Sequence, residues 1–244
     1  MSLSRSELNK PRILITRRIP EEALAILNRA CEIEQWPEVE QPMPRGELLK
    51  KVQNVDGLYT LLTDRVDIEV LNEAKRLKIV SNMAVGYDNI DVAACSARGI
   101  MVTNTPGVLT ETTADLAMAL LLATSRRIVE ASNYLRQGKW NHWFPMQMTG
   151  QDVFGATLGI IGLGRIGEAV AKRAKGFDMN IIYNNRTRNM YAEKELGASY
   201  RQLDELLAES DFVLILTPLT AETRNMIGKR ELALMKPTGI LLNC

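Results

Sequence analysis

Three glycines near the middle of the chain have the spacing of a phosphate-binding turn. Gly162, Gly164 and Gly167 form a Gly-x-Gly-x-x-Gly pattern directly after a short apolar run. Glycine at the first position permits a tight turn, at the second lets a phosphate approach the backbone, and at the third lets a helix lie close to a strand. The first amides of a helix also attract anions. This spacing indicates a site for phosphate groups.

The residues around these glycines predict the elements that must position them. Residues 157–161 are apolar and rich in β-branched side chains, as in a buried strand, and residues 181–183 predict a second strand. Between them, apolar side chains recur at helical intervals as far as Gly176. A strand, a glycine turn, a helix and a second strand make the βαβ unit of dinucleotide-binding proteins, so we expect a dinucleotide here. The alternative is a glycine-rich turn that binds nothing.

The residues after the second strand bear on which dinucleotide binds. An NAD site usually has an Asp or Glu at this place, which accepts hydrogen bonds from the ribose hydroxyls. Here the chain has Asn185, which cannot repel a 2′-phosphate, followed by Arg186, Thr187 and Arg188. Two guanidinium groups and a hydroxyl can donate charge-assisted hydrogen bonds to that phosphate. We expect NADP(H) to be preferred and NAD(H) to be possible; ordinary solvated loop arginines are the alternative.

Composition and charge agree with a globular enzyme. The chain has 30 Lys and Arg against 29 Asp and Glu, so its net charge of +1 favours neither nucleic acid nor an anionic membrane. No signal peptide is apparent, and the longest uncharged apolar run, residues 116–124, is too short to span a bilayer. The widely spaced Cys31, Cys95 and Cys244 suit free thiols in a reducing cytoplasm. We expect a cytoplasmic protein with no metal site.

Strand and helix patterns alternate along the first part of the chain. Strands are predicted at residues 12–16, 31–35, 57–62, 77–82 and 100–103. Helices are predicted after Pro20 and at residues 45–52, 68–74 and 91–98. This alternation predicts a parallel sheet wrapped by helices, and therefore a small flavodoxin-like domain.

A second wound unit is predicted around the glycine turn. Its later helices are predicted at residues 190–196, 203–208 and 229–235, and its later strands at 212–216 and 240–243. Before the turn, a long helix is predicted over residues 112–137, with Thr112 as its cap. Its middle, LAMALLLA, is apolar on all sides and must be covered by protein. Burial within one subunit would suffice, but we expect a homodimer contact. Residues 138–154 are expected to be irregular.

The loop at residues 84–90, AVGYDNI, follows the fourth predicted strand. Ligands of open parallel sheets bind beyond the carboxyl ends of the strands. The backbone N–H groups of Val85 and Gly86 could therefore bind a small carboxylate. From spacing alone, a turn made by Gly, Asp and Asn is the better explanation of these residues.

Three segments, in order, resemble the D-isomer-specific 2-hydroxyacid dehydrogenases, particularly their glyoxylate and hydroxypyruvate reductase branch. They are GYDNIDVAACSARGIMVTNTPGVLTETTADLAMALLLATSRR, TLGIIGLGRIG and FVLILTPLTAETRNMI. The resemblance covers nearly the whole chain. It implies an α/β protein of two doubly wound parallel-sheet domains. These are a flavodoxin-like substrate domain at residues 1–104 and a Rossmann NAD(P)-binding domain, incomplete at its C-terminal end, at residues 105–244.

The resemblance also implies a reaction and roles for particular residues. The reaction is hydride transfer from a nicotinamide to the carbonyl of a small 2-keto acid, which gives a D-2-hydroxy acid. Backbone groups at Val85 and Gly86 would hold the substrate carboxylate. The pyrophosphate would be cradled by Leu163, Gly164, Arg165 and Ile166. The adenosine ribose phosphate would contact Asn185, Arg186 and Thr187, and the cofactor would be lined by Thr217, Pro218 and Leu219.

One departure limits the activity that the resemblance implies. Keto acid reduction needs a cation to polarise the carbonyl and an acid to supply a proton. In the family, an Arg shortly after a strand like residues 239–243, and a Glu and a His further on, have these roles. The sequence ends at Cys244, before those positions, so we expect a C-terminal truncation, no catalytic residue in this chain and no turnover.

A sole histidine, His142, lies between Trp140 and Trp143, where the family has residues that serve packing. We therefore do not expect it to donate the proton. An alternative to the enzyme fragment is a non-catalytic dinucleotide-binding module, comparable to the corepressors that resemble this family. The absence of a basic patch argues against that alternative.

Overall fold

Parallel strands alternate with helices throughout the computed structural model, which describes residues 10–244. The chain separates into two units, the first ending at Val108 and the second beginning at Leu109. Each unit has its own five-stranded parallel sheet and its own apolar core. The expectation of two parallel-sheet α/β domains is confirmed.

The first unit has the flavodoxin-like strand order β2-β1-β3-β4-β5. Its strands are β1 (Arg12–Ile15), β2 (Glu32–Gln35), β3 (Gly57–Thr60), β4 (Ile79–Asn82) and β5 (Met101–Thr103). Its helices are α1 (Glu21–Asn28), α2 (Arg45–Lys51), α3 (Ile68–Glu73) and α4 (Val92–Ala97). Leu14, Leu58 and Val80 are neighbours in register across the central strands and are fully buried. Burial on both faces explains why these strands are short apolar runs.

The second unit has the strand order β10-β9-β6-β7-β8, which is the order of a Rossmann sheet with its first strand in the middle. Its strands are β6 (Thr157–Ile161), β7 (Asn180–Asn184), β8 (Ser199–Tyr200), β9 (Phe212–Ile215) and β10 (Ile240–Asn243). Its helices are α5 (Thr110–Ser125), α6 (Ile128–Arg136), α7 (Arg165–Ala174), α8 (Met190–Leu196), α9 (Leu203–Glu209) and α10 (Lys229–Leu234). Strand β8 was not expected from the sequence, because two residues carry no periodicity. Among the described helices, none has the length and apolar character needed to cross a lipid bilayer.

The single helix expected over residues 112–137 is wrong, because the chain breaks between α5 and α6. Arg127 has a left-handed backbone, with a φ of 53°. The Ser125 carbonyl accepts the N–H of Gln151 at 2.8 Å. Gly150 passes so close that a Cβ atom there would lie 2.1 Å from the same oxygen. The Ser125 carbonyl, which would accept a hydrogen bond within a continuous helix, therefore accepts one from Gln151 instead.

The expected cap at Thr112 is also wrong. Helix α5 begins at Thr110, and its cap residue Leu109 makes no side-chain hydrogen bond. The Thr112 hydroxyl donates to the Leu109 carbonyl at 3.2 Å, so it satisfies no helix N–H. Asp115 instead accepts a hydrogen bond from Arg173 of α7 at 2.7 Å, which ties the two helices together.

In each sheet an Asp side chain links two neighbouring strands at their N-terminal ends. In the first unit, Asp56 precedes β3 and accepts the N–H of Arg12, the first residue of β1, at 3.0 Å. In the second unit, Asp211 precedes β9 and accepts the N–H of Thr157, the first residue of β6, at 2.9 Å. A carboxylate therefore links the first strand of each sheet to the neighbouring strand on one side.

Candidate functional site

The glycine turn lies at the carboxyl edge of the second sheet. Strand β6 pairs with β7 and β9, and the last residues of the three strands are opposite one another. Gly162 follows β6, Asn185 follows β7, and Thr217 comes shortly after β9. The Gly162 N–H donates to the Asn184 carbonyl at 3.0 Å, which continues the sheet into the turn. Three segments predicted to contact a cofactor therefore meet at one edge.

Each glycine of the turn has a different structural environment. Gly162 has a φ of 95°, and a Cβ atom there would lie 2.9 Å from backbone atoms of Leu216 and Thr217. A Cβ atom at Gly167 would lie 3.0 Å from the Gly162 carbonyl oxygen. At Gly164 a Cβ atom would meet nothing within 4 Å. The first and third glycines are thus required by the fold, whereas the second borders open space.

The first turn of α7 has backbone donors without protein partners. Gly164 is its cap residue and has no side chain to accept a helix N–H. Within residues 10–244, the N–H groups of Arg165, Ile166 and Gly167 donate to no acceptor, and the first such bond is from Glu168 to the Gly164 carbonyl at 2.8 Å. Three amides and the positive end of a helix dipole therefore face one place, where an anion would be stabilised.

Asn185 holds the glycine turn by both ends of its side-chain amide. Its Oδ1 accepts the Leu163 N–H at 2.7 Å, and its Nδ2 donates to the Leu163 carbonyl at 3.1 Å. Asn189 Nδ2 donates to the same carbonyl at 3.1 Å. The amide of Leu163 is therefore already used, and the donors left for a phosphate are those of Arg165, Ile166 and Gly167.

The two arginines after Asn185 differ in their surroundings. Arg188 donates to the Glu193 carboxylate from Nε at 2.9 Å and from Nη2 at 2.6 Å. Arg186 and Thr187 are exposed, and within the described part of the chain they make no hydrogen bond or ion pair. In the sequence the two arginines look equivalent, because no sequence pattern shows that Arg188, just before α8, pairs with Glu193 inside that helix.

The segment after β9 runs along the glycine turn. Thr217 is partly buried beside Gly162, and its hydroxyl contacts the Met226 sulfur at 3.7 Å. The Pro218 carbonyl accepts the Thr223 hydroxyl at 2.6 Å, which fixes the turn. Leu219 is exposed. All three residues predicted to line a cofactor thus lie in one segment at this edge.

In the first unit, the loop after β4 is held by its carbonyl groups. The Ala84 carbonyl accepts the Thr105 N–H at 2.9 Å. The Val85 and Gly86 carbonyls accept hydrogen bonds from the side-chain amides of Asn104 and Asn82, each at 2.9 Å. Three successive peptide groups are therefore oriented by donors within the unit.

The orientation of these carbonyls sets the direction of the amides. In a trans peptide the N–H points opposite to the C=O, so the N–H groups of Val85, Gly86 and Tyr87 point away from the three donors. Within residues 10–244 none of these N–H groups donates to a protein acceptor. Successive unpaired amides of this kind bind anions. The geometry suits the carboxylate site predicted at Val85 and Gly86 and adds Tyr87 to it.

Buried polar side chains support this loop, and they were not predicted from the sequence. Asn82 accepts the Thr60 hydroxyl at 3.0 Å and donates to Asn89 at 3.2 Å. Asn89 in turn donates to the Asp64 carbonyl at 2.9 Å, and the Asp64 carboxylate accepts the Thr16 hydroxyl at 2.5 Å. A usable signal was present, since Thr16, Thr60 and Asn82 are polar residues at the ends of apolar strands.

His142 lies in the irregular stretch before β6. Its ring is exposed and tilted 53° against the ring of Phe144, with a centroid distance of 6.0 Å. Within the described residues, no carboxylate lies at ion-pair distance from it. The part of the chain that the structure describes also contains no cluster of three side chains able to hold a metal ion.

Comparison with known proteins gives a consistent result. A family profile described as "D-isomer specific 2-hydroxyacid dehydrogenase, NAD binding domain" matches residues 118–244. The chain is 56% identical over 238 residues to the glyoxylate reductase of Thermococcus gammatolerans, an alignment that covers 96% of this chain and 71% of that protein.

Two solved structures extend the similarity to the fold. A protein of Thermus thermophilus has a TM-score of 0.86 and 46% identity, with 95% of this chain and 73% of that chain covered. The NADPH-dependent glyoxylate/hydroxypyruvate reductase of Sinorhizobium meliloti, in complex with NADP and malonate, has a TM-score of 0.83 and 34% identity. That alignment covers 96% of this chain and 71% of the other.

Proposed function

We infer the function of this chain from its family: it belongs to the D-isomer-specific 2-hydroxyacid dehydrogenases, which are oxidoreductases. We propose that its second unit binds NADP(H) and that its first unit binds the carboxylate of a small 2-keto acid. Glyoxylate and hydroxypyruvate are the proposed substrates. The names of the Thermococcus gammatolerans and Sinorhizobium meliloti relatives support this substrate class.

The observation that carries the proposal is the group of unpaired amides at the start of α7. This helix has ten residues, so its dipole is well developed. The open space beside Gly164 lets a pyrophosphate reach the N–H groups of Arg165, Ile166 and Gly167 without a side chain between them. The residues present therefore fit the diphosphate of a dinucleotide.

A preference for NADP(H) is proposed from the residues after β7. Asn185 carries no charge that would repel a 2′-phosphate, and it is held against Leu163. Arg186 and Thr187 are exposed beside it and can donate to phosphate oxygens. The Sinorhizobium meliloti relative, which is described in complex with NADP, supports this preference.

The two sites would divide the work of the reaction. A bound nicotinamide would supply the hydride that reduces the keto carbonyl. The amides of Val85, Gly86 and Tyr87 would hold the substrate carboxylate, and Asn82 and Asn104 would fix the direction of those amides. The residues of the first unit thus bind and orient the substrate.

The groups that would polarise the carbonyl and supply the proton are not assigned within this chain. His142 has no carboxylate partner in the described residues and lies in an irregular, exposed segment. We therefore propose that His142 does not supply the proton.

Titration of the purified chain with NADPH and with NADH, followed by cofactor fluorescence, tests the proposal. NADPH should bind about tenfold or more tightly than NADH, because one set of charge-assisted hydrogen bonds supplies discrimination of that order. A chain that is folded by circular dichroism and binds neither cofactor would contradict the proposal.

We also propose a homodimer that forms through the region of residues 112–137. On α5, Leu116 and Leu120 are 54% and 37% exposed in the single chain, and Trp143 in the following segment is 74% exposed. Sedimentation of the chain and of a Leu120→Glu variant tests this, since a charge in an apolar contact should favour the monomer. The domain limits of residues 1–104 and 105–244 and the cytoplasmic location stay predictions.

A further inference from the structure

The two arginines near the proposed 2′-phosphate site are not in equivalent states. Arg186 and Arg188 are both exposed, and the Arg188 side chain is 60% exposed. Arg188 nevertheless makes two hydrogen bonds to one carboxylate, that of Glu193, and its guanidinium carbon lies 5.9 Å from the ring centre of Tyr200. Arg186 makes no such contact within residues 10–244.

Glu193 is itself anchored to the core. The buried Tyr183 donates from its hydroxyl to Glu193 Oε1 at 2.7 Å, and the same hydroxyl accepts the Asn189 N–H at 2.7 Å. The Tyr183 ring meets the Tyr200 ring edge-on at 5.6 Å. The hydrogen bond from Arg188, followed by that from Tyr183, holds the pKa of Glu193 below its usual value. The carboxylate is therefore fixed in place and charged.

We propose that Glu193 is a positioning residue that limits the preference for NADP(H): it withholds Arg188 from the 2′-phosphate, so that Arg186 and Thr187 alone make the contacts that favour NADP(H) over NAD(H). This inference rests on the proposed function, because it concerns the same cofactor site. It assigns opposite roles to two arginines that are two positions apart in the sequence.

The charges explain why Glu193 matters. Arg186 and Arg188 contribute two positive charges: Glu193 pairs directly with Arg188, whereas the charge of Arg186 acts on Glu222 without an ion pair, as the last of the contributions that lower the Glu222 pKa. Removing one unit charge at the distance of a neighbouring side chain, near a protein surface, changes the affinity for a phosphate by about three- to tenfold. NADH has no phosphate at that position, so its affinity should not respond.

Glu193→Gln is the direct test. Glutamine has the same shape and still accepts the hydroxyl of Tyr183, but it has no charge to hold Arg188. NADPH should bind about three- to tenfold more tightly, and NADH should stay within about twofold of the wild-type value. Glu195→Gln is the matched control, because Glu195 lies on the same helix about 200° further round and pairs with Lys194 at 3.6 Å. It should leave both affinities unchanged.

The outcomes separate a specific role from a structural one. An unchanged ratio of NADPH to NADH affinity in Glu193→Gln overturns the proposal, and so does an equal change for both cofactors. An equal gain in Glu195→Gln also overturns it, because the effect would then be one of general charge. The double variant Arg188→Gln with Glu193→Gln should bind NADPH within about threefold of wild type. It removes one positive and one negative charge, so the net charge near the phosphate does not change. A loss of about tenfold in that variant would show Arg188 to be a ligand.

A measurement on the wild-type chain does not depend on any variant folding. In nuclear magnetic resonance spectra of arginine Nε–H groups, NADPH should shift the Arg186 signal and leave the Arg188 signal in place. A shift of Arg188 as large as that of Arg186 overturns the proposal. Wild-type binding of NADPH with no effect of Glu193→Gln contradicts this inference alone. Failure of the wild-type chain to bind either cofactor overturns the proposed function, and this inference with it.

Discussion

The two proposed sites present the same chemical group, the backbone N–H, by different means. In the second unit, Gly164 is the cap of a helix whose first turn leaves its amides unpaired. In the first unit, the amides of Val85 and Gly86 lie in a loop, and the side chains of Asn104 and Asn82 hold the carbonyl groups on the other side. One site comes from regular secondary structure and the other from buried side chains.

This difference decides what else depends on each site. A helix start needs no dedicated side chain, so Gly164 can be altered without touching the core of the second unit. The loop of the first unit depends on Asn82, which is 1% exposed and also accepts a hydrogen bond from Thr60. The phosphate site can therefore be altered at Gly164 without loss of folding, whereas the carboxylate site cannot be altered at Asn82 in that way.

The largest effect should come from the glycine turn. Gly164→Val should leave the fold intact and weaken NADPH binding by about a hundredfold, since a side chain there blocks amides that each contribute about 1.5–3 kcal/mol to a charged ligand. Fluorescence titration gives the affinity, and urea unfolding gives the stability. Unchanged NADPH affinity in this variant would contradict the proposed site.

Gly162→Ala sharpens the same comparison. Its positive φ and its contact with the backbone of Leu216 should lower the free energy of unfolding by about 3 kcal/mol, and NADPH binding should fall with it. Gly176→Ala is the control, because a Cβ atom there meets nothing within 4 Å. Equal stability of the variants at positions 162 and 176 would show that the turn is not constrained as described.

A smaller effect is expected from Asn82→Ala, which should weaken both the stability of the first unit and its binding of a carboxylate. Loss of its buried hydrogen bonds should lower the free energy of unfolding by about 2 kcal/mol. Malonate should also no longer shift the amide resonances of Val85 and Gly86. The exposed Asn72→Ala in the same unit should change the stability by less than about 0.5 kcal/mol. If malonate shifted the amide resonances of Val85 and Gly86 in Asn82→Ala as it does in the wild type, the Asn82 side chain would not be needed for the site.

The smallest effect concerns the carboxylates at the amino edges of the sheets. The Arg12 N–H, followed by the charge of Arg76, lowers the pKa of Asp56. For Asp211, burial opposes the shift, but hydrogen bonds from Lys236 and the Thr157 N–H outweigh it and lower the pKa. A pKa lowered by folding stabilises the protein above the ordinary value of 3.8. That stability is lost as the pH falls through the folded value.

Asp56→Asn should therefore lower the free energy of unfolding by about 1 kcal/mol at neutral pH, and the deficit should shrink as the pH falls below 3.8 and through the lower pKa of the folded state. Asp211→Asn should cost less, because its side chain is 32% exposed against 10% for Asp56. Urea unfolding at several pH values measures both. A deficit that persists at low pH would show that charge is not the cause.

Sequence reasoning worked where backbone geometry demands a particular residue. Gly162 and Gly167 are glycines because a side chain would strike the backbone, and this demand leaves a fixed spacing in the sequence. The strand before the turn, Thr157–Ile161, also has the limits expected for it. Such features are local, so a single chain can reveal them.

Sequence reasoning failed where distant residues decide the outcome. The break after α5 depends on Gly150 and Gln151 meeting the Ser125 carbonyl, and no local pattern records that contact. The roles of Asn82, the last residue of β4, and of Asn104, which follows β5, were missed for a related reason: a polar residue at the end of an apolar strand is a signal, but it does not identify its hydrogen-bond partner. Their partners become visible only when the loop folds over them.

The contact between Ser125 and Gln151 has a consequence for how this protein can diversify. The bond closes the base of an excursion that begins with the break after α5 and includes α6 and both tryptophans at positions 140 and 143. Because the base is fixed, the excursion can lengthen, shorten or change sequence while the strand that enters the glycine turn keeps its place. Natural variation can thus change the sequence and length of this excursion without disturbing the edge of the sheet where the dinucleotide would bind.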